Sequence, residues 1–213
     1  MMQNPLSAHT LRAFIAVDLP ENVRAALGLV QEQLRAYRFK TTWTRPENIH
    51  LTLKFLGDIK REQVEPIISV IEKAAKDCRP MTLRSQAVGF FPGVRNPRVL
   101  WTGISGQTEV LAELQSKIDK GLSALEFPSE KKPFTCHLTL GRIKGGGNPG
   151  LFIDIMKIFQ NMTTDTFIVD SVNLYQSKLM PSGPMYLTLV LSPITPTLSF
   201  SSCAALLSTT MPT

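Results

Sequence analysis

Two copies of one tetrapeptide, His-Leu-Thr-Leu, mark this chain of 213 residues. They begin at His50 and His137, and the chain has only three histidines. By ordinary residue usage, Leu-Thr-Leu follows a given histidine by chance on the order of one time in a thousand. Each copy alternates polar and apolar residues, which is typical of a half-buried strand whose histidine shares a face with Thr52 or Thr139. The repeat predicts two strands that present imidazoles and hydroxyls to a shared cleft.

Paired imidazoles and hydroxyls are suited to acid–base chemistry on an anion. An imidazole has an ordinary pKa of about 6.5, so two of them can divide the roles of acid and base near neutral pH. Threonine hydroxyls can donate hydrogen bonds to the non-bridging oxygens of a phosphoryl group. Arg142 lies shortly after His137, on the same predicted strand or at its exit, and offers a guanidinium that suits phosphate. This chemistry requires no metal and no covalent intermediate, and we predict no cofactor.

Basic and aromatic side chains near the motifs are candidates for contacts with a nucleic acid. The basic candidates, in or next to predicted loops, are Arg45, Lys54, Arg95, Lys131 and Lys132. The candidate base-stacking residues are Trp43, Phe55 and Phe91. For Trp43 and Phe55 a place in the core is the favoured alternative. For Lys131 and Lys132 a solvated loop is favoured over a contact with RNA.

Hydrophobic periodicity and turn residues predict alternating strands and helices. The predicted strands cover residues 11–19, 49–56, 81–90, 97–104, 134–143, 167–176 and 184–192, and Gly57 is expected to end the first motif strand. The predicted helices cover residues 20–37, 60–76, 108–122 and 151–159. The second half approximately repeats the first. This order favours a bilobal α+β fold, with two pseudo-symmetric lobes of antiparallel sheet, helices packed outside and a central cleft.

Composition and charge are those of a soluble globular protein, with 43% apolar and 19% charged residues. The formal net charge of +6 modestly favours an anionic partner. Three widely spaced cysteines indicate neither a disulfide framework nor a zinc site, and they favour a reducing, cytoplasmic location. Cys136 would face away from His137 on a strand, so we expect a buried small hydrophobe there.

We expect neither a signal peptide nor a membrane span in this sequence. Residues 1–194 are predicted to form a single bilobal domain. Residues 195–213 are poorly patterned, uncharged and rich in serine, threonine and small apolar residues. We expect this tail to be loosely attached, and we expect the protein to be a monomer.

Beyond the repeated motif, several other stretches resemble one family, the two-histidine phosphoesterases. They are residues 12–18, Trp43, 46–57, 89–92, 97–101, Phe134, 137–142, Ser177, 183–184 and Tyr186. Within that family the chain resembles the bacterial and archaeal RNA 2',3'-cyclic phosphodiesterases, also called 2'-5' RNA ligases. The resemblance covers roughly residues 11–192, in the family's order. Two features depart from it: Cys136 stands where proline is usual, and the tail after Ser192 has no counterpart.

The resemblance implies hydrolysis of a terminal 2',3'-cyclic phosphate, on RNA or a nucleotide, to a 2'-phosphate. By similarity, His50 is the general acid that protonates the departing 3' oxygen, and His137 is the general base that activates water. Thr52 and Thr139 would hold the phosphate, and Arg142 would match the arginine beyond the second motif. Two alternatives stay open: a 2'-5' RNA ligase that joins cyclic-phosphate and 5'-hydroxyl ends, and a non-catalytic RNA-binding module.

Overall fold

Nine strands and four helices are described by the structure, a computed structural model that covers residues 10–130, 132–181 and 183–195. The strands are β1 (Thr10–Val17), β2 (Thr41–Trp43), β3 (Leu51–Lys60), β4 (Met81–Phe91), β5 (Val99–Gly106), β6 (His137–Ile143), β7 (Phe167–Val169), β8 (Ser171–Met180) and β9 (Gly183–Pro193). The helices are α1 (Glu21–Arg35), α2 (Val64–Lys76), α3 (Thr108–Ser123) and α4 (Pro149–Ile158). In these ranges no helix is long and apolar enough to cross a membrane.

All the strands belong to one antiparallel sheet, in the order β7-β4-β5-β6-β3-β1-β8-β9, with β2 paired to β6. The motif strands β3 and β6 are neighbours at its centre, where they pair in register through Leu51 and Leu138. Each half of the sheet therefore contains one motif strand and three further strands of the main path. The predicted α+β fold with two pseudo-symmetric lobes is confirmed.

A single residue, Asp170, connects strands that lie in different halves of the sheet. β7 pairs with β4 at one edge, whereas β8 pairs with β1 and β9 at the other side. The Cα atoms of Val169 and Ser171 can be no more than about 7.6 Å apart. The sheet must therefore curl until its two ends approach each other. The prediction of one continuous strand over residues 167–176 is wrong, because the chain changes pairing partners at Asp170.

The helices cover one face of the curled sheet, and each buries an apolar stripe there. In α1 the stripe consists of Val23, Leu27, Val30 and Leu34, at the spacing of an amphipathic helix. The main hydrophobic core contains residues from all four helices. The other face of the sheet carries a smaller cluster of Phe14, Ala16 and Tyr175, with Tyr186 packed against it.

The first motif strand continues beyond Gly57, the residue at which the sequence predicted its end. β3 runs to Lys60 and contains an irregularity, because Ala13 pairs with Gly57 whereas Phe14 pairs with Phe55. Gly57 has a φ of +73°, a conformation that glycine adopts at little cost. It bends the strand and does not end it.

The predicted tail at residues 195–213 lies, apart from Thr195, outside the described residues. The predicted boundary of the domain at residue 194 therefore stays a prediction.

Candidate active site

Pairing between β3 and β6 brings the two His-Leu-Thr-Leu motifs together. Leu51 and Leu138 are paired, and both are 0% exposed because they point into the main core. Their polar neighbours therefore project from the other face of the sheet. Because the strands are antiparallel, the register places these neighbours in two facing pairs, His50 with Thr139 and Thr52 with His137.

The two histidines lie at diagonally opposite corners of this group. Diagonal neighbours on paired antiparallel strands lie about 7–8 Å apart, with their Cβ atoms somewhat closer. Such a separation lets two imidazoles approach one phosphoryl group from opposite sides. In-line displacement needs that arrangement, because the attacking and leaving oxygens lie on opposite sides of phosphorus.

Both imidazoles are oriented by a backbone carbonyl two residues earlier. The Nδ1 atom of His50 lies 2.8 Å from the carbonyl oxygen of Asn48, and Nδ1 of His137 lies 2.8 Å from that of Thr135. A carbonyl oxygen only accepts hydrogen bonds, so each Nδ1 carries the proton and donates. In both residues Nε2 is therefore the nitrogen left for proton transfer.

His50 is packed among aromatic rings. Phe14 stacks on its imidazole with ring centroids 4.7 Å apart, and Tyr186 meets it edge-on at 5.2 Å. Burial lowers the pKa of His50, and this effect outweighs the hydrogen bond to Asn48 and the negative charge of Asp18, which both act to raise it. In the free protein at neutral pH, His50 is accordingly neutral.

His137 lies in more open surroundings. Phe91 meets its imidazole edge-on, with ring centroids 5.1 Å apart. On the neighbouring strand β5 the residue paired with His137 is Gly103, which places no side chain beside it. Phe91 also stacks on Trp101 at 4.8 Å, and a role for Phe91 in base stacking stays a prediction.

A hydrogen-bonded group lies behind the rings that pack on His50. The side-chain amide of Asn173 donates to the Asp18 carboxylate at 3.0 Å and to the Tyr175 hydroxyl at 3.2 Å. Tyr175 in turn stacks on Phe14 at 5.2 Å. Burial raises the pKa of Tyr175, and its hydrogen bond with Asp18 raises it further.

Phe14 and Tyr175 were not among the site residues predicted from the sequence. Positions two apart along β1 share a face, and this spacing was available from the sequence. Once β1 pairs with β3, Phe14 and Ala16 must share the face opposite to Ile15. Recognising this required knowledge of which strand pairs with the motif strand.

Each motif strand contains a β-bulge at the second leucine of its motif. On β3, Ala16 pairs with Thr52 and Ile15 with Lys54, so Leu53 is the extra residue. On β6, Trp101 pairs with Thr139 and Leu100 with Gly141, so the extra residue is Leu140. A bulge of one residue brings position i+3 back to the face of position i.

Buried glutamines from two helices hold the carbonyl groups of the bulged leucines. The Gln31 amide of α1 donates to the carbonyl oxygens of Leu140 at 2.8 Å and Thr44 at 2.7 Å. The Gln115 amide of α3 donates to the carbonyl oxygen of Leu53 at 3.5 Å. The two halves therefore repeat the bulge and its support as well as the motif.

The bulges determine which residues beyond the motifs face the cleft. Arg142 follows Thr139 by three positions and is exposed on the same face, while Ile143 is buried in the core. Burial raises the pKa of Tyr186, and the positive charge of Arg142 acts against that rise. The structure thus brings Arg142 to the side of the cleft that contains His50.

Phe55 occupies the position on β3 that Arg142 occupies on β6. It follows Thr52 by three positions, is 65% exposed and packs at 6.2 Å against Phe14. The favoured expectation of a core position for Phe55 is therefore wrong, because the bulge at Leu53 turns its ring to the other face. Trp43 does pack against the core, where the guanidinium of Arg35 lies 4.8 Å from its ring.

The other basic candidates separate into distinct groups. Lys54 is buried and its ammonium is bound by the Asp119 carboxylate at 2.5 Å and the Pro128 carbonyl at 2.6 Å, so it is not available to RNA. Arg45 and Arg95 are exposed in loops, and Lys132 is exposed beside β3. Lys131 lies outside the described residues.

Two observations concern the cysteines and possible metal ligands. Cys136 is half-buried, packs against the main core, and has its pKa raised by burial, as expected for a small hydrophobe. Within the described ranges, no three His, Cys, Asp or Glu side chains are grouped as a metal site.

The curled sheet with two histidines and two threonines at its centre defines a class, the two-histidine phosphoesterases. The family described as LigT-like phosphoesterase matches residues 17–101 and 103–186, two successive stretches that each contain one motif. This chain belongs to that family.

Named relatives have similar length. The RNA 2',3'-cyclic phosphodiesterase of Methanothermobacter thermautotrophicus is 32% identical over 176 residues, which are 83% of this chain and 95% of the relative. That of Methanocaldococcus jannaschii is 31% identical over 176 residues, 83% of this chain and 96% of the relative.

Solved structures share the fold. The protein TT0787 of Thermus thermophilus is 28% identical with a TM-score of 0.72, covering 87% of this chain and 99% of that one. Escherichia coli LigT, solved with 3'-AMP, is 22% identical with a TM-score of 0.69 over 87% of this chain and 99% of that one. The latter similarity supports the fold alone.

Proposed function

We propose that this protein is an RNA 2',3'-cyclic phosphodiesterase, which hydrolyses a terminal 2',3'-cyclic phosphate to a 2'-phosphate. The observation that carries the proposal is the diagonal placement of His50 and His137 across Thr52 and Thr139, on one face of paired strands. Relatives 31–32% identical over most of their length bear the name of this activity. The three cysteines support a reducing, cytoplasmic location, and we propose that the protein acts as a monomer.

In the proposed reaction, Nε2 of His137 accepts a proton from a water molecule as its oxygen attacks phosphorus. The bond between phosphorus and the 3' oxygen breaks, and Nε2 of His50 donates a proton to that oxygen. The phosphate remains on the 2' oxygen. Each proton transfer contributes about 10²–10⁴ in rate. The two transfers need no metal ion, which is why we propose a metal-independent reaction.

A lowered pKa suits His50 to the role of acid once substrate is bound. The cyclic phosphate is an anion, and an anion beside an imidazole favours its protonated form. Binding therefore raises the pKa of His50 from its low value in the free protein. The imidazolium formed in this buried site then donates its proton readily to the leaving oxygen.

Thr52, Thr139 and Arg142 form the proposed phosphate site. The two hydroxyls lie at the remaining corners of the group, where they can donate to the non-bridging oxygens. Arg142 faces the same cleft and supplies permanent positive charge.

Product analysis on a 2',3'-cyclic nucleotide tests the proposal directly. The purified protein is incubated with 2',3'-cyclic AMP, and the products are separated by chromatography against 2'-AMP and 3'-AMP standards. We expect 2'-AMP alone, at a rate that EDTA does not change. Formation of 3'-AMP would reverse the identity of the leaving oxygen, and a strong loss of rate with EDTA would indicate a metal enzyme.

Matched histidine variants control this experiment. His50→Ala and His137→Ala should each lower turnover by about 10²–10⁴-fold while thermal unfolding remains cooperative. The third histidine, His9, lies outside both motifs, and His9→Ala should retain the wild-type rate. Full activity of either motif variant would exclude the two-histidine mechanism. Binding of RNA without turnover by the wild-type protein would indicate a non-catalytic module.

A further inference from the structure

The exposed ring of Phe55 extends the catalytic face beyond the residues that perform the proposed reaction. Phe55 is 65% exposed, lies on the same face as Thr52 and packs against Phe14, the ring that stacks on His50. A lone exposed phenylalanine is common on protein surfaces and means little by itself. Its position is informative, because it is the counterpart in β3 of Arg142 in β6.

A cavity of about 340 Å³ adjoins this ring. It lies between residues 54–56 of β3 and a second stretch that includes residues 127–130 and 132. Phe55, Leu56 and Phe127 supply its apolar walls, and its charged and polar groups are those of Lys54, Ser129, Glu130 and Lys132. Cavities of this size are within the range that binds small ligands.

The wall of this cavity is held in place by a buried ion pair. Lys54 bonds to the Asp119 carboxylate at 2.5 Å and to the Pro128 carbonyl at 2.6 Å, and it lies 3.9 Å from Glu130. Burial acts to raise the pKa of Asp119, but the hydrogen bond and the charge of Lys54 lower it overall. Pro128 and Glu130 are therefore attached to β3 through Lys54.

An aromatic face, a hydroxyl and an ammonium group around one cavity match the chemistry of a nucleotide. A base stacks on an aromatic ring regardless of its identity, and an ammonium attracts the phosphate that follows. The charge of Lys54 is already compensated by Asp119 and Glu130, so Lys132 is the cation that this cavity offers a phosphate.

We propose that Phe55 and Lys132 bind the nucleotide immediately 5' of the terminal one, so that the enzyme prefers RNA ends to mononucleotides. This inference rests on the proposed function. The ribose stays bonded to the 3' oxygen that His50 protonates, so the terminal ribose lies next to His50 and the ring of Phe14 that stacks on it. Phe14 packs against Phe55 as well as His50, which connects the proposed binding site of the preceding nucleotide to the catalytic residues.

The test compares two substrates that differ by one nucleotide. Steady-state kinetics are measured for 2',3'-cyclic AMP and for the dinucleotide ApA with a 2',3'-cyclic phosphate end. We expect wild-type kcat/KM to be about tenfold higher for the dinucleotide, mainly through a lower KM, since one stacked base contributes on that order.

Variants of Phe55 separate stacking from hydrophobic packing. Phe55→Leu should remove most of the preference for the dinucleotide, whereas Phe55→Tyr should keep it. Lys132→Gln should reduce the preference and make it less dependent on salt. The matched control is Ile168→Ala, since Ile168 is 66% exposed on β7 at the far edge of the sheet and should not change the ratio.

Three outcomes would overturn the inference. One is an equal kcat/KM for both substrates with the wild-type protein. Another is an equal loss on both substrates in Phe55→Leu, because Phe55 would then act by supporting Phe14 and His50. Turnover of neither substrate by the wild-type protein would contradict the proposed function itself, and this inference with it.

Discussion

The halves of the cleft contain the same tetrapeptide but give its histidine different surroundings. His50 lies among the rings of Phe14, Tyr186 and Tyr175, at centroid distances of 4.7, 5.2 and 6.5 Å. His137 meets Phe91 edge-on at 5.1 Å and faces Gly103 on the next strand. The motif fixes the direction of each imidazole, whereas the neighbouring strands fix its exposure.

That difference provides a physical basis for unequal roles. A histidine that is buried among rings is held neutral in the free protein and gains a proton when an anion binds. A histidine in an open position can meet the water that it must activate. The comparison therefore agrees with an acid at His50 and a base at His137, a proposal that the symmetry of the sequence does not make.

The largest expected effect is the loss of kcat in the two histidine variants, and a substrate whose leaving atom is sulfur shows which histidine is the acid. A 3' thiolate departs without a proton, so a general acid is not needed for that substrate. We expect His50→Ala to lose about 10²–10⁴ in kcat on the ordinary cyclic phosphate and far less on the 3'-thio analogue. His137→Ala should lose a similar factor on both substrates, because water still needs a base. Rescue of His137→Ala instead of His50→Ala would reverse the proposed roles.

Variants of Thr52 and Thr139 test whether both hydroxyls hold the phosphate. Thr52→Val and Thr139→Val each remove one hydroxyl donor, and we expect each to lower kcat by about 10²-fold. Thr→Ser at either position keeps the donor and should retain most activity. Single-turnover rates measure this effect. A loss confined to one position would mean that only one half of the site holds the phosphate.

A candidate site could be predicted from the sequence alone because the motif is repeated. Alternation in each His-Leu-Thr-Leu string placed the histidine and threonine of each copy on one face. Arg142 was a harder case. Five residues after His137, a regular strand would turn it to the opposite face, and only the bulge at Leu140 returns it to the cleft. The sequence carries no local signal for that bulge, since its support comes from Gln31 on a distant helix.

Pairing partners were the part of the fold that sequence patterns did not predict. Residues 167–176 were predicted as one strand, although the buried positions change from Phe167 and Val169 to Val172 and Leu174 across Asp170. A bulge within one strand produces the same change of phase, so the pattern alone does not reveal a change of partner. Only the curl of the whole sheet separates β7 from β8 there. The position of Phe55 was mispredicted for a related reason, because the bulge at Leu53 depends on pairing with β1.

A smaller effect is expected from Asp18, whose charge raises the pKa of His50. Asp18→Asn keeps an oxygen that can accept from Asn173 but removes the negative charge. The protonated form of His50 then loses support, and its pKa falls further below the ordinary value. If His50 is the acid, the alkaline limb of kcat/KM should move to lower pH.

The same experiment contains an internal control. The bound anion raises the pKa of His50, so the alkaline limb of kcat should lie at higher pH than that of kcat/KM, in both wild type and Asp18→Asn. Asn173→Leu removes the hydrogen bonds to Asp18 and Tyr175 without removing the charge. A shift in Asn173→Leu as large as that in Asp18→Asn would assign the effect to geometry and not to charge.

The smallest expected effect compares the glutamines that support the bulges. Gln31 makes bonds of 2.7 and 2.8 Å to two carbonyl oxygens, whereas Gln115 makes one of 3.5 Å. Gln31→Leu should therefore lower the free energy of unfolding by about 1–3 kcal/mol, because buried carbonyls lose their donor. Gln115→Leu should lower it by less. Urea unfolding monitored by circular dichroism measures both values.

Activity distinguishes the role of Gln31 in the site from its role in stability. If Gln31 holds the bulge that turns Arg142 to the cleft, Gln31→Leu should raise KM at a temperature where the protein is fully folded. Gln115 supports the bulge before Phe55, so the effect of Gln115→Leu should fall mainly on the dinucleotide substrate and less on the mononucleotide. Equal losses of stability in the two variants would mean that the longer bond to Gln115 is as strong as the shorter pair, and the two halves would then be equivalent in their support.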